Sequence, residues 1–237
     1  MKSVSRTIII FMLCCLSITS CGNSKGNTTM THSAQESNSD LLTAVEKQDS
    51  KLLSEILRSK QDLEIKDDKG RTALMIATYN EDTEIAKMLI SAGANVNAQD
   101  EMLNSPFLYA GASGFVPILK LCLDNGADFN VFNRYGRTAL IPAAERRHVE
   151  VVQILTQTPN FPIDHVNNLG WTAIMEAVIL GSKSDTQTQI VKILVDAGCD
   201  YSIPDNDGIT PMQHAKSRSM DEVVKILLDA DSQKAKK

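Results

Sequence analysis

The sequence has 237 residues, a formal net charge of −5 and 5% aromatic residues. An acidic chain without a basic stripe argues against a nucleic acid partner, because binding to phosphates needs clustered Lys and Arg. The scarcity of aromatic residues and the many aliphatic ones favour a helical chain.

The first 20 residues predict a secretory signal peptide. Lys2 and Arg6 give a positive start, residues 7–16 form an apolar run, and small residues lead to Cys21. The run is too short to span a bilayer and lacks the flanks of a membrane helix.

Residues 18–21 (ITSC) resemble a bacterial lipobox. The resemblance implies that Cys21 is diacylated and that the preceding peptide is removed, so that several acyl chains hold the protein on a membrane. We therefore expect an exported protein anchored to the periplasmic face of the cell envelope. The outer membrane is favoured in a Gram-negative cell, because Gly22 is not an acidic retention residue. The alternative is an ordinary signal peptide in which Cys21 has no role.

The segment after this signal is polar. Residues 21–39 contain almost no apolar side chains after the cysteine, so we expect a flexible tether. Residues 231–237 (DSQKAKK) are predicted to form a disordered tail. The folded domain is expected between them, over residues 40–230.

A unit of a polar turn and two short helices recurs within this domain. Neither predicted helix reaches the roughly 12–15 residues that an isolated helix needs in water, so the units must pack against one another. The last residues of five equivalent segments are 33, 33, 34 and 38 positions apart. These segments are Gly70-Arg-Thr-Ala-Leu74, Leu103-Asn-Ser-Pro-Phe107, Gly136-Arg-Thr-Ala-Leu140, Gly170-Trp-Thr-Ala-Ile174 and Gly208-Ile-Thr-Pro-Met212.

A period near 33 residues with a T-P-L-H-x-A core resembles the ankyrin repeat family. The resemblance implies an all-α solenoid of about six helix–turn–helix repeats with short β-turn tips. The expected repeats cover residues 40–66, 67–99, 100–132, 133–166, 167–204 and 205–230.

The fourth and fifth repeats depart from this pattern. Thr138 is predicted to cap the inner helix of the fourth repeat, and Pro142 is expected to cost that helix a hydrogen bond. Arg147 replaces a glycine between the two helices, and the sequence offers no reason for it. Gly181–Gln189 is a polar insertion, expected as an extended loop that either reflects drift or adds a contact surface.

No catalytic or metal-binding pattern is present in the sequence. The four histidines have no metal-type spacing, and there is no nucleophile elbow, phosphate loop or pair of catalytic carboxylates. We therefore predict a protein that is not an enzyme and takes no cofactor or metal. Cys122 and Cys199 are expected to lie too far apart for a disulfide.

Stacking of the inner helices predicts one polar contact between repeats. Glu176 and His214 occupy equivalent positions in adjacent repeats and can hydrogen-bond there. One interpretation is a semi-buried pair that fixes how the repeats dock, and the other is a polar spot that faces a ligand.

The ankyrin resemblance implies that a protein partner binds the turn tips and the concave face of the inner helices. Within that surface, five residues on two adjacent repeats form a predicted hot spot, because Trp, Tyr and Arg dominate interface energetics. They are Arg134, Tyr135, Arg137, Arg146 and Trp171. The full set of predicted contact residues adds Arg71, Tyr79, Asn104, Glu145, Asn168, Leu169 and Ile179. The alternative is that Trp171 packs on a neighbouring turn and the arginines are solvated.

Two functions fit this reading. The first is a monomeric, lipid-anchored protein that holds a protein partner at the envelope, with an immunity-type lipoprotein that neutralises a toxin or effector as its specific form. The second is a structural or stress-related accessory protein that supports an exported enzyme and has no single tight partner.

Overall fold

The computed structural model describes residues 40–59, 61–181 and 183–234, which form twelve helices and no strand. The inner helices are α1 (40–46), α3 (Ala73–Tyr79), α5 (Pro106–Ser113), α7 (Leu140–Arg146), α9 (Ala173–Ile179) and α11 (Pro211–Ser217). The outer helices are α2 (Ser50–Ile56), α4 (Thr83–Ser91), α6 (Val116–Asp124), α8 (Val149–Gln157), α10 (Asp185–Asp196) and α12 (Asp221–Lys234). The predicted signal peptide, Cys21 and the tether lie outside the described residues.

Two layers of helices stack along the chain. Contacts join α3, α5, α7, α9 and α11 in sequence, and a parallel series joins α2, α4, α6, α8, α10 and α12. Each outer helix from α4 onwards also packs on the inner helix of its own repeat. The all-α solenoid predicted from the sequence is confirmed.

Small residues on the inner helices allow the close stacking. Ala77, Ala110, Ala143 and Ala177 recur at one position of successive inner helices, and each is fully buried. At Gly111 an added Cβ would lie 2.6 Å from the Cβ of Ala139, so the next repeat leaves no space for a side chain there. Larger aliphatic side chains fill the space between the inner and outer layers.

Side-chain caps begin the inner helices. The hydroxyl groups of Thr72, Ser105, Thr172 and Thr210 each accept the amide N–H of the residue three positions later. Thr138 was predicted to do the same, and this prediction is wrong. Its Oγ1 is buried without a hydrogen-bond partner, and α7 begins only at Leu140, with Ala139 as the preceding residue.

Arg147 takes a backbone conformation that the sequence did not explain. Its φ is 66°, in the left-handed region, and Gly114 has a φ of 80° at the equivalent position of the preceding repeat. Glu81 and Ser219 adopt the same region in other repeats. In these four repeats the bend between the two helices therefore takes a positive φ, and glycine is not required for it.

The insertion in the fifth repeat is only partly a loop. α10 begins at Asp185, inside the segment expected to be an extended polar loop. Gln187 is fully buried, and its Nε2 donates to the carbonyl oxygen of Ala144 at 3.3 Å. The insertion therefore lengthens the outer helix and packs it against the preceding repeat.

The C-terminal end is ordered further than expected. Residues 231–237 were predicted to be disordered, but α12 continues to Lys234. Tyr201 holds this last turn, because its hydroxyl donates to Asp231 at 2.8 Å and the Lys234 ammonium lies 4.1 Å from its ring centroid. A long-range contact thus replaces the predicted fraying as far as Lys234.

Candidate partner-binding surface

One acidic or amide residue holds each turn. Its Oδ1 accepts the backbone N–H groups two and four residues later, at 2.8–3.1 Å. Asp and Asn favour this geometry because their short side chains reach their own following backbone. The five residues are Asp67, Asp100, Asn133, Asn167 and Asp205. They present the intervening tip residues on one side of the solenoid.

In three of the five turns the second polar atom of this residue contacts a side chain of an inner helix. Asp100 Oδ2 accepts the hydroxyl of Tyr79 at 2.6 Å. Asn167 Nδ2 donates to Glu176 Oε1 at 2.7 Å, and Asp205 Oδ2 lies 2.7 Å from His214 Nε2. The same turn residue therefore fixes the backbone of the tip and one side chain of the concave face.

The predicted Glu176–His214 bond is wrong. Each of the two side chains binds the turn residue nine positions earlier in its own repeat, Asn167 and Asp205 respectively. The interpretation in which a bond between Glu176 and His214 fixes the docking of two repeats is therefore wrong as well.

Neighbouring turns are joined through their backbones. The N–H of Glu101 donates to the carbonyl oxygen of Lys69 at 3.2 Å, and the N–H of Asn168 donates to that of Tyr135 at 3.0 Å. Backbone bonds therefore join the second turn to the third and the fourth turn to the fifth.

A row of exposed apolar side chains follows this series. Met102, Tyr135 and Leu169 occupy the same position in three successive turns, and 40%, 47% and 50% of their surfaces are exposed. We call these three residues the turn-tip row. Ile209, two positions after the equivalent residue of the next turn, is 37% exposed. Large exposed apolar patches on proteins mark sites of interaction.

The predicted contact residues of the second and third repeats lie together. Asn104 Nδ2 donates to the Tyr79 hydroxyl at 3.3 Å. The ring of Tyr79 packs against that of Tyr109, with the two ring centroids 4.3 Å apart. Burial and then the bond to Asp100 raise the pKa of Tyr79 to about 12. Arg71 and Met102 line the same groove as Tyr79.

The predicted residues of the fourth repeat continue this surface. The Arg134 guanidinium lies 4.7 Å from the ring centroid of Tyr135 and donates to its hydroxyl at 2.6 Å. Its Nη1 also donates to the sulfur of Met102 at 3.1 Å. Met102 therefore connects the two groups of predicted residues into one surface.

Arg137 has a different role from its neighbours in the predicted hot spot. Only 16% of its side chain is exposed. Its Nη1 pairs with Glu145 at 3.1 Å and its Nη2 pairs with Glu176 at 2.8 Å. Arg137 therefore links its turn to the inner helix of the next repeat, and it is not a free surface arginine.

The remaining predicted residues divide by exposure. Arg146 is exposed and donates to the carbonyl oxygen of Ala112 at 2.8 Å, while Asn168 and Leu169 are exposed at the tip of the fifth repeat. Trp171 and Ile179 are half-buried. The Trp171 N–H donates to Asn167 at 3.0 Å, so the backbone of this residue belongs to the turn itself.

Glu176 is a candidate functional residue for which the sequence predicted the wrong partner, His214. Its side chain is fully buried, and its Oε2 has no hydrogen-bond partner. Burial raises its pKa to about 7, and Glu145 acts in the same direction, whereas Arg137 and Asn167 lower the pKa. The available signal was a glutamate at a helix position where the other repeats have Ile76, Tyr109 and Pro142.

His165 and His148 pack against other residues of the repeats. The His165 ring stacks on Phe132 with their centroids 4.2 Å apart, and its Nε2 lies 2.7 Å from the carbonyl oxygen of Gly136. His148 lies directly beneath Gly114, and burial lowers its pKa. In the described ranges no group of three or more His, Cys, Asp or Glu side chains is arranged to hold a metal ion. No helix there is both long and apolar enough to cross a membrane.

Comparisons with known proteins match these features. The family model of ankyrin repeats (three copies) matches residues 5–100, 41–133, 107–203 and 159–237. The ankyrin repeat protein YahD of Escherichia coli (strain K12) is 29% identical over 191 residues, which cover 81% of this chain and 95% of YahD. The ankyrin repeat and KH domain-containing protein mask-1 of Caenorhabditis elegans is 30% identical over 164 residues, which are only 6% of that protein.

Solved structures agree with the sequence relatives. The crystal structure of an ankyrin repeat domain from Acinetobacter baumannii AYE is 49% identical, with a TM-score of 0.78, over 81% of this chain and 97% of that one. The crystal structure of the ankyrin repeat protein EF0377 is 42% identical, with a TM-score of 0.78, over 80% of this chain and 96% of that one. The repeat period, the stacked helix pairs and these matches together place the chain in the ankyrin repeat family.

Proposed function

We propose that the chain is a protein-binding module whose contact surface is centred on the turn-tip row. Ankyrin repeat proteins generally mediate interactions between proteins. The observation that carries the proposal is the exposure of Met102, Tyr135 and Leu169 in successive turns. Tyr79, Arg134 and Trp171 border this row, and such residues supply most of the energy of protein interfaces.

The proposed setting is the bacterial envelope, with the chain attached through lipid at Cys21. The lipobox-like residues 18–21 and the polar segment that follows support this proposal. The protein then acts at the periplasmic face of a membrane, and its specific form is an immunity-type protein that occludes a toxin or effector. The outer membrane is the favoured site in a Gram-negative cell.

Crosslinking and pull-down from intact cells test the partner surface. The test variant is Tyr135→Ala combined with Leu169→Ala, because both side chains are exposed at the tips. Arg137 is left intact, since its two ion pairs make its removal a structural change. The control is Leu228→Ala on α12, where an equally exposed leucine lies outside the turns. Loss of one dominant partner in the test variant alone supports the proposal.

The alternative function predicts a different result. An accessory protein without a tight partner would give a diffuse set of crosslinked proteins that neither variant changes. That outcome would contradict the proposed binding surface. Radiolabelled palmitate tests the anchor separately, because Cys21→Ser should abolish its incorporation.

A further inference from the structure

The carboxylate of Glu176 is buried between the fourth and fifth repeats. Glu176 Oε1 is 2.8 Å from Arg137 Nη2 and 2.7 Å from Asn167 Nδ2. Its other oxygen, Oε2, is closed to solvent and has no partner. An ionised carboxylate that keeps one oxygen unsatisfied is costly to bury, and a proton on that oxygen removes the buried negative charge.

Two carboxylates share one guanidinium at this place. Glu145, on α7, pairs with Arg137 at 3.1 Å and lies beside Glu176. Its side chain is 28% exposed, so it is in contact with water. The Nε of Arg137 is buried and has no partner, which shows that the guanidinium is not saturated by the two acids.

The other elements packed against α9 bring few competing charges. From α11, His214 faces this side, but Asp205 holds it at 2.7 Å. From α10, the buried side chain is the neutral Gln187, while Asp185 at its first turn is exposed. Arg146 on α7 is exposed and bonds to the preceding repeat. Arg137 and Glu145 are therefore the charged groups that act directly on Glu176.

We propose that Glu176 is a proton-operated switch within the partner-binding surface. Above neutral pH it is ionised and holds Arg137. Below neutral pH it takes up a proton from water, and Arg137 is then left with Glu145 alone. The burial of Glu176 and the proximity of Glu145, which together bring its pKa to about 7, support this assignment.

The switch acts on the surface through Arg137. This arginine also lies 5.6 Å from the ring centroid of Tyr135, in the same turn. When the ion pair between Arg137 and Glu176 weakens, the turn that carries Tyr135 loses its ionic link to α9 of the next repeat. The turn of that repeat carries Leu169. Partner affinity should therefore depend on pH. Only this last consequence rests on the proposed function, because proton uptake by Glu176 needs no partner.

The chain contains its own reporter for this event. Trp171 is its only tryptophan, and the backbone N–H of this residue donates to Asn167 Oδ1 at 3.0 Å. The amide nitrogen of the same asparagine donates to Glu176. A change in the charge of Glu176 therefore reaches the segment that positions the indole ring.

The test is a fluorescence titration of the full chain between pH 5 and 9, without any partner. We expect a one-proton change in Trp171 emission with a midpoint near pH 7. The change should be absent in Glu176→Gln and retained in the control His214→Gln. A flat curve for the native chain, or an unchanged curve in Glu176→Gln, would overturn the proposal, as would loss of the change in His214→Gln alone.

A second measurement protects the test against a variant that does not fold. The carboxyl ¹³C signals of the glutamates are followed in the native chain over the same range. One glutamate that titrates near pH 7 supports the switch, and the absence of such a signal overturns it. Both measurements omit the partner, so failure of the pull-down and failure of the switch are separate results.

Discussion

Thr138 and Pro142 occupy the two positions that are joined by the first backbone hydrogen bond of the other inner helices. In α3, α5, α9 and α11 the fourth residue after the capping residue donates its N–H to the carbonyl oxygen of that residue at 2.9–3.0 Å. Pro142 has no N–H, so the carbonyl of Thr138 cannot receive this bond and α7 begins one residue late. The orphaned Thr138 hydroxyl is a second consequence of the same proline.

Pro142→Ala should therefore stabilise the chain. The variant can form the bond to the Thr138 carbonyl and the Thr138 side-chain cap, which contribute about 1 kcal/mol each, and the loss of two buried methylene groups takes back about 1.6 kcal/mol. We expect the free energy of unfolding to rise by about 0.5 kcal/mol in urea titrations. Pro117→Ala is the control, since Pro117 lies in the first turn of α6, where no bond is lost. A decrease in stability for Pro142→Ala would contradict this explanation.

The contribution of Glu176 to the stability of the native chain should fall as the pH rises towards 7. The folded state raises the pKa of Glu176 from 4.5 to about 7. Because the folded chain binds this proton more tightly, the stabilisation is complete below about pH 4.5 and is lost as the pH passes 7. The full effect is on the order of 3 kcal/mol. Urea titrations at several pH values should show that Glu176→Gln gains stability over the native chain at pH 8 but not at pH 4.5. A difference that is the same at all pH values would contradict the prediction.

Both cysteines of the described repeats should resist modification. Cys122 and Cys199 are free and buried, and burial raises the pKa of each thiol to about 12. Since the thiolate is the reactive form, neither should react with iodoacetamide at pH 8 in the native chain, and both should react in urea. Mass spectrometry of the digested peptides measures this. Rapid labelling of either residue without denaturant would show that its helix opens readily.

The last turn of α12 should contribute to stability. A chain that ends at Ala230 loses the bond between Asp231 and Tyr201 and the contact of Lys234 with the same ring. We expect a loss of about 1–2 kcal/mol in the free energy of unfolding. A chain that ends at Lys234 is the matched control and should retain the native value. Equal stability of the two truncated chains would restore the prediction of a tail without a structural role.

The sequence predicted the architecture well because its signals are local and repeated. A capping Ser or Thr, small inner residues and a constant period specify each repeat with little help from distant parts of the chain. Thr138 shows the limit of such signals, because the capping residue is present but a proline four residues later prevents its use. Composition likewise predicted fraying at the C-terminus, whereas Tyr201, 30 residues before Asp231, holds that end in place.

The candidate surface was predicted in outline, with errors where side chains make contacts in three dimensions. The exposed residues Arg134, Tyr135 and Leu169 lie at the tips, as expected for the turns. Arg137 lies in the same turn as Arg134, but its side chain is mostly buried, because its guanidinium pairs with Glu145 and Glu176. The alignment of repeats showed that Glu176 was unusual. It did not show which group Glu176 binds, because that depends on the direction of the second polar atom of Asn167.

The bonding of the turns separates the residues that set the shape of the molecule from those that face outwards. In each turn one Asp or Asn fixes the backbone, and the two side chains that follow it are not needed for those bonds. These following positions include Arg134 and Tyr135 in one turn and Leu169 in the next, whereas the side chain of Asn168 bonds to the carbonyl oxygen of Arg134. Their exchange can give this scaffold a new ligand preference while the helices keep their arrangement, so one stable frame can serve a diversified set of recognition surfaces, in nature or in a selected library.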